Sequence, residues 1–171
     1  MKDREVTSGS NASEDPNDIC VAPAARFGAV KTTTLRPFIV AAEAAPRARQ
    51  NVYPEPFARV VEGRLKRPLG DVFGLQNFGV NWTRLEPGAA TALRHHHSKQ
   101  DEFVFVLEGD PTLITDAGEF LLGAGTCAGF RAGDGNAHQV VNRSAQPVVL
   151  LEVGDRSPGD SCENSGLRPA R

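Results

Sequence analysis

A chain of 171 residues holds one ordinary domain and leaves little room for a second. Its apolar fraction of 40% and charged fraction of 23% are those of a globular protein, and a net charge of −2 argues against the basic stripe that nucleic-acid-binding domains present. No apolar run approaches the ~20 residues that span a bilayer, so neither nucleic acid nor membrane is an expected partner.

Residues 1–20 are polar and rich in Ser, Asn and Asp, which predicts a mobile arm. The first 18 residues carry five acids against two bases around no apolar core, so they do not read as a signal peptide. Cys20, Cys127 and Cys162 are odd in number and scattered, with no CxxC pair. They read as reduced thiols of a cytoplasmic protein, with Cys127 a small buried residue. Residues 21–62 hold five prolines among scattered apolar side chains. An extended segment that wraps the core is expected there, with one short helix around residues 40–47.

From residue 63 the pattern becomes β-like. Phe78, Val80 and Trp82 alternate with Gly79, Asn81 and Thr83, the period of two of a half-buried strand, and Glu86-Pro87-Gly88 stops it. Further strands are expected at 102–107, 112–115, 120–122, 126–130, 139–142 and 148–153, with Gly, Pro or Asp between them. Short, evenly spaced strands of this kind indicate an all-β sandwich or barrel over residues 63–154. Residues 155–171 hold almost nothing apolar and read as a polar C-terminal tail.

All four histidines fall in two places: His95-His96-His97, and His138 in a glycine-rich turn. Residues two apart on a strand share a face, so His95 and His97 project together and His96 points away as a packing residue. Two imidazoles so placed can chelate one metal ion. Glu102 follows a polar turn, Ser98-Lys99-Gln100-Asp101, which lets the chain double back and present the carboxylate to the same pocket. Asp101 is the alternative carboxylate, but strand phase favours Glu102. His95, His97, Glu102 and His138 are therefore the expected ligands of one divalent transition metal: Fe, Mn, Ni, Co or Zn.

Gly88, His95, His97, Glu102 and Gly109 resemble the first motif of the cupin family: G, HxH, then E, then G at set intervals. Gly135, His138 and Asn142 resemble the second, although Arg131 and Gly133 occupy its turn where a proline is usual. The resemblance extends to a bacterial subfamily of single-domain cupins, some members of which are labelled sugar-phosphate isomerase-like. It is carried by Lys66-Arg67-Pro68-Leu69-Gly70-Asp71, Phe78-Gly79-Val80-Asn81, Asp101-Glu102-Phe103-Val104, Asn142-Arg143-Ser144 and Leu151-Glu152-Val153-Gly154-Asp155-Arg156, within roughly residues 51–160. It implies a single cupin, a jelly-roll-like antiparallel β-barrel with the metal inside.

Three imidazoles and one carboxylate leave about two positions free in an octahedral field, an arrangement suited to catalysis. Three functions follow as expectations. The first is a non-redox isomerase or lyase in which the metal polarises a carbonyl or stabilises an enediolate. The second is a non-heme iron dioxygenase of a small organic acid or phenol, and the third a non-catalytic small-molecule binding module. A divalent ion with one carboxylate has a formal charge of +1, so a small oxygen-rich anion is the expected substrate. Arg64, Lys66 and Arg131 are candidates to meet it. Residues 103–107, Phe-Val-Phe-Val-Leu, are apolar on both faces. The face bearing Phe103, Phe105 and Leu107 needs a cover, from the second sheet, the N-terminal wrap or a partner subunit, and of these a second copy in a homodimer is the expectation.

Overall fold

The computed structural model describes residues 37–165, and the expected arm at 1–20 lies outside them. Ten strands follow in order: β1 (Arg64–Pro68), β2 (Phe78–Leu85), β3 (His95–His97), β4 (Glu102–Glu108), β5 (Thr112–Thr115), β6 (Gly118–Leu121), β7 (Cys127–Phe130), β8 (Gln139–Val141), β9 (Val148–Asp155) and β10 (Cys162–Asn164). A four-residue helix, α1 (Leu69–Val72), separates β1 from β2. The helix expected at 40–47 contracts to a 3-10 turn, Ala41–Glu43. Pro46 disfavours the helical conformation of the residue before it and so limits how far that turn extends.

All pairings are antiparallel. One sheet runs β1-β2-β9-β4-β7, a second β6-β5-β8, and β10 pairs with β3. A bridge between His95 and His138 joins β3 to the chain entering β8, with backbone bonds of 3.1 and 2.8 Å. The shorter strands thus form one continuous layer opposite the five-stranded sheet.

The core lies between these layers. Leu85, Val106, Val148 and Leu150 are fully buried, with Val104, Leu113 and Val140 beside them. Alternation along β4 directs Glu102, Val104 and Val106 inward, so one end of the apolar core becomes a polar site. Asn142, fully buried, pins the corner after β8. Its Nδ2 donates to the carbonyls of Leu85 (3.0 Å) and Gln146 (2.8 Å), and its Oδ1 accepts from Ser144 N–H at 3.0 Å.

The segment before the barrel lies along edge strand β1, where Arg47 N–H donates to the Lys66 carbonyl at 2.9 Å and Lys66 N–H to Gln50 Oε1 at 2.9 Å. Such a cover occupies ladder groups that an edge strand would otherwise present to another chain. Two expectations are corrected. Cys127 is exposed, because it sits on the outward phase of β7 opposite Phe105. The stretch after 154 is more than a polar tail: β9 runs on to Asp155, and β10 pairs Cys162 with His97 and Asn164 with His95. Cys162 and Asn164 are buried there although the segment has little apolar content. Among the described residues no helix is long and apolar enough to cross a membrane.

Candidate metal centre

The first strand of the site is β3, where His95 and His97 point inward from alternate positions. The turn 98–101 reverses the chain and delivers Glu102 at the head of β4, while the His95–His138 bridge brings in the fourth side chain. Glu102 Oε2 lies 3.0 Å from His138 Nε2 and 3.5 Å from both His95 Nε2 and His97 Nε2. The structure thus brings together all four expected ligands.

Their chemistry fits a metal ion. Two donors each about 2.1 Å from one ion, at right angles, lie about 3 Å apart. Glu102 Oε2 is buried and makes no well-formed hydrogen bond, an arrangement that costs free energy unless something else occupies its lone pairs. His95 Nδ1 donates to the Leu93 carbonyl at 2.7 Å, which leaves the Nε2 lone pair facing the cluster. His97 does the same through Asp160, its Nδ1 donating to Oδ2 at 2.5 Å. Hydrogen bonds on the far nitrogen orient metal-binding histidines in this way. Phe130 stacks flat on His138, with ring centroids 3.5 Å apart, and shields that imidazole from water.

The protonation states agree. Burial pushes the Glu102 carboxyl up, but contacts with His138 and His95 and the attraction of the imidazoles outweigh it and hold the group well below the usual carboxylate range. Burial pushes His138 down, against the pull of Glu102. An ionised carboxylate and a neutral imidazole are the forms that ligate metal. Asp160 is pushed up by burial, yet the hydrogen bond from His97 and the backbone N–H groups of Lys99 and Gln100 lower it overall.

Other expected residues fall elsewhere. Asp101 points away and accepts the Ala132 N–H at 2.8 Å, so it does not ligate. His96 faces Glu163 at 3.7 Å from the other side of the strand and forms part of the cleft's lip. Arg131 lines the cleft over the cluster with Gln100, Asp134 and Asn136. Arg64 and Lys66 do not line it. The Arg64 guanidinium donates to the carbonyls of Thr91 and Gln50. Lys66 pairs with Glu152 at 3.0 Å, and Glu152 also accepts from Thr83, within the inner face of the large sheet. Both cations have structural partners because β1, paired with β2, carries them into the barrel wall.

Sequence reasoning missed Asp160 and Cys162. The Cys162 thiol is buried, within 4.8 Å of donor atoms of His95 and His97. Neither has a local signal, since the stretch 155–165 lacks any apolar periodicity.

Comparison with known proteins agrees with this geometry. Residues 81–154 match the family model described as a cupin domain. A sugar phosphate isomerase from a cupin superfamily, of Silicibacter pomeroyi, is 44% identical over 77% of this chain and 83% of its own, with a TM-score of 0.73. A putative sugar phosphate isomerase of Acidithiobacillus ferrooxidans is 29% identical over 60% of this chain and 65% of its own, with a TM-score of 0.58. The polyketide cyclase RemF of Streptomyces resistomycificus, at 20% identity over 77% of this chain and 86% of its own, shares the fold with a TM-score of 0.59. No curated protein matches the chain.

Proposed function

The chain belongs to the cupin superfamily, and on that premise we propose that it is a divalent-metal-dependent enzyme that acts on a small oxygen-rich anion by isomerase or lyase chemistry without redox change. The observation that carries the proposal is the buried, orphaned Glu102 oxygen facing three Nε2 atoms at the bottom of a narrow cleft. The isomerase direction is supported by the names of the two sugar phosphate isomerases, which is an analogy at the level of family.

His95, His97, His138 and Glu102 would hold the ion. A divalent ion held there would supply Lewis-acid polarisation of a substrate carbonyl. The chain supplies the rest. Arg131, exposed at the lip, would meet the outer negative charge of the substrate, while Asp134 on the same lip would disfavour a second anionic group there. Gln100 and Asn136 offer hydrogen bonds to hydroxyl groups. Phe130 closes the floor beside His138.

The test is an oxygen electrode. Iron- and manganese-loaded protein is incubated with sugar phosphates, hydroxy acids and keto acids under air and under argon. Turnover that is equal in the two atmospheres is the expected result. Oxygen uptake stoichiometric with substrate loss would overturn it in favour of a dioxygenase. No turnover of any of these compounds by metal-loaded protein would favour a binding module.

For assembly, the outer face of the large sheet supports a homodimer. Trp82, Leu151 and Phe105 lie in one cross-strand row, and Val80, Val153 and Phe103 in the next. Phe103 and Leu107 are each 40% exposed. Apolar rows crossing three strands leave such a face poorly solvated, and a two-fold partner covers the same face on both copies. Light scattering at tens of micromolar should return twice the 18.3 kDa of one chain. A monomer mass would reject the dimer.

A further inference from the structure

We infer that Asp160 is a positioning residue of the metal centre: one carboxylate sets the tautomer of His97 and holds the turn that returns Glu102 to it. The inference rests on the metal-binding reading above. Asp160 Oδ2 accepts from His97 Nδ1 at 2.5 Å. Its other oxygen, Oδ1, accepts from Lys99 N–H at 2.8 Å, Gln100 N–H at 3.2 Å and the Ser98 hydroxyl at 3.3 Å. The side chain is only 10% exposed. The backbone N–H groups of Lys99 and Gln100 can only donate, and an ionised carboxylate accepts from them with one oxygen while its other oxygen leaves His97 Nδ1 the donor's role.

Two consequences meet at one residue. With the proton on Nδ1, His97 keeps its Nε2 lone pair toward Glu102. The turn bound by Oδ1 joins the last residue of β3 to the first of β4, so it sets where Glu102 stands relative to His97. Backbone groups fasten Asp160 in turn. Ser98 N–H donates to the Ser161 carbonyl, and Ser161 N–H donates to Ser98 Oγ, both at 2.9 Å. The strand β10 then continues alongside β3. The segment after β9 is therefore a working part of the centre.

Asp160→Asn tests this without changing shape, because an amide has one accepting end and one donating end. If its oxygen serves the turn, its NH2 faces His97 Nδ1 and drives the imidazole proton to Nε2, where it blocks ligation. If its oxygen serves His97, the NH2 confronts two backbone N–H groups and the turn opens. Either outcome lowers metal affinity by about 10–100-fold, as loss of a ligand's supporting partner does.

The experiment titrates wild type and Asp160→Asn with Zn(II) against a chromophoric chelator, and records nitrogen-15 imidazole spectra of both metal-free proteins. The expected result is a wild-type His97 protonated at Nδ1, with a folded variant that binds Zn(II) about 10–100-fold more weakly. Wild-type affinity in the variant, or a wild-type His97 protonated at Nε2, would overturn the role of Asp160. A wild type that binds no Zn(II) refutes the metal reading instead, and the tautomer of its metal-free His97 still decides the positioning role. That same spectrum decides it if the variant does not fold.

Discussion

Replacing His95, His97 or His138 by alanine is expected to strip most of the metal from the purified protein, whereas His96→Ala retains it. The three Nε2 atoms and Glu102 Oε2 form one cluster with contacts of 3.0–3.5 Å, and His96 faces Glu163 outside it. A ligand itself is lost in the first three variants, so each should exceed the ~10–100-fold that loss of a supporting hydrogen bond costs. Metal content by mass spectrometry after dialysis reads the result directly. Equal loss in His96→Ala would sink the assignment. The same variants should forfeit the stabilisation that metal confers on wild type, about 2.7 kcal/mol at a free metal concentration of 100 Kd.

Gly109→Ala should destabilise the metal-free protein far more than Gly88→Ala, although both glycines belong to the same motif. Both adopt a left-handed backbone, with φ of +82° and +86°, which costs a side-chain-bearing residue about 1–2 kcal/mol. They differ in surroundings. A Cβ at Gly88 meets nothing within 4 Å, whereas one at Gly109 meets Val148 Cγ2 at 2.9 Å and the Pro147 carbonyl oxygen at 3.0 Å. Val148 is fully buried and backbone cannot step aside, so overpacking adds about 1–3 kcal/mol. Gly109→Ala should thus cost about 2–5 kcal/mol and lower the melting temperature by at least roughly 4 °C. Thermal unfolding of the two variants side by side checks this, and equal melting temperatures would refute the packing argument.

Much of the fold was legible because strand alternation is a property of the covalent chain. Phe78, Val80 and Trp82 alternate in sequence and share a face in β2 for the same stereochemical reason. The shared face of His95 and His97 follows from that period, and the approach of Glu102 to them from the short turn after it. Elements without periodicity were misread. The stretch after residue 154 lacked apolar pattern and read as a tail, yet β10 forms because its backbone groups pair with β3. Cys127 looked like a core residue by type, and the register of β7 against β4 turned it outward.

The sequence by itself determined the all-β class and the phase of His95, His96 and His97 on their strand, since these depend on spacings of a few residues along one chain. Only the tertiary structure decided what each polar group is bound to. Arg64 and Lys66, read as candidates to meet a substrate, bond with Thr91, Gln50 and Glu152, and Arg131 alone of the three lines the cleft. Asp160 reaches His97 across 63 residues of sequence. A charged side chain in a barrel takes the partner that strand pairing sets beside it, because leaving it buried and unpaired costs several kcal/mol. That partner is fixed by which distant strands become neighbours, and no local spacing encodes the choice.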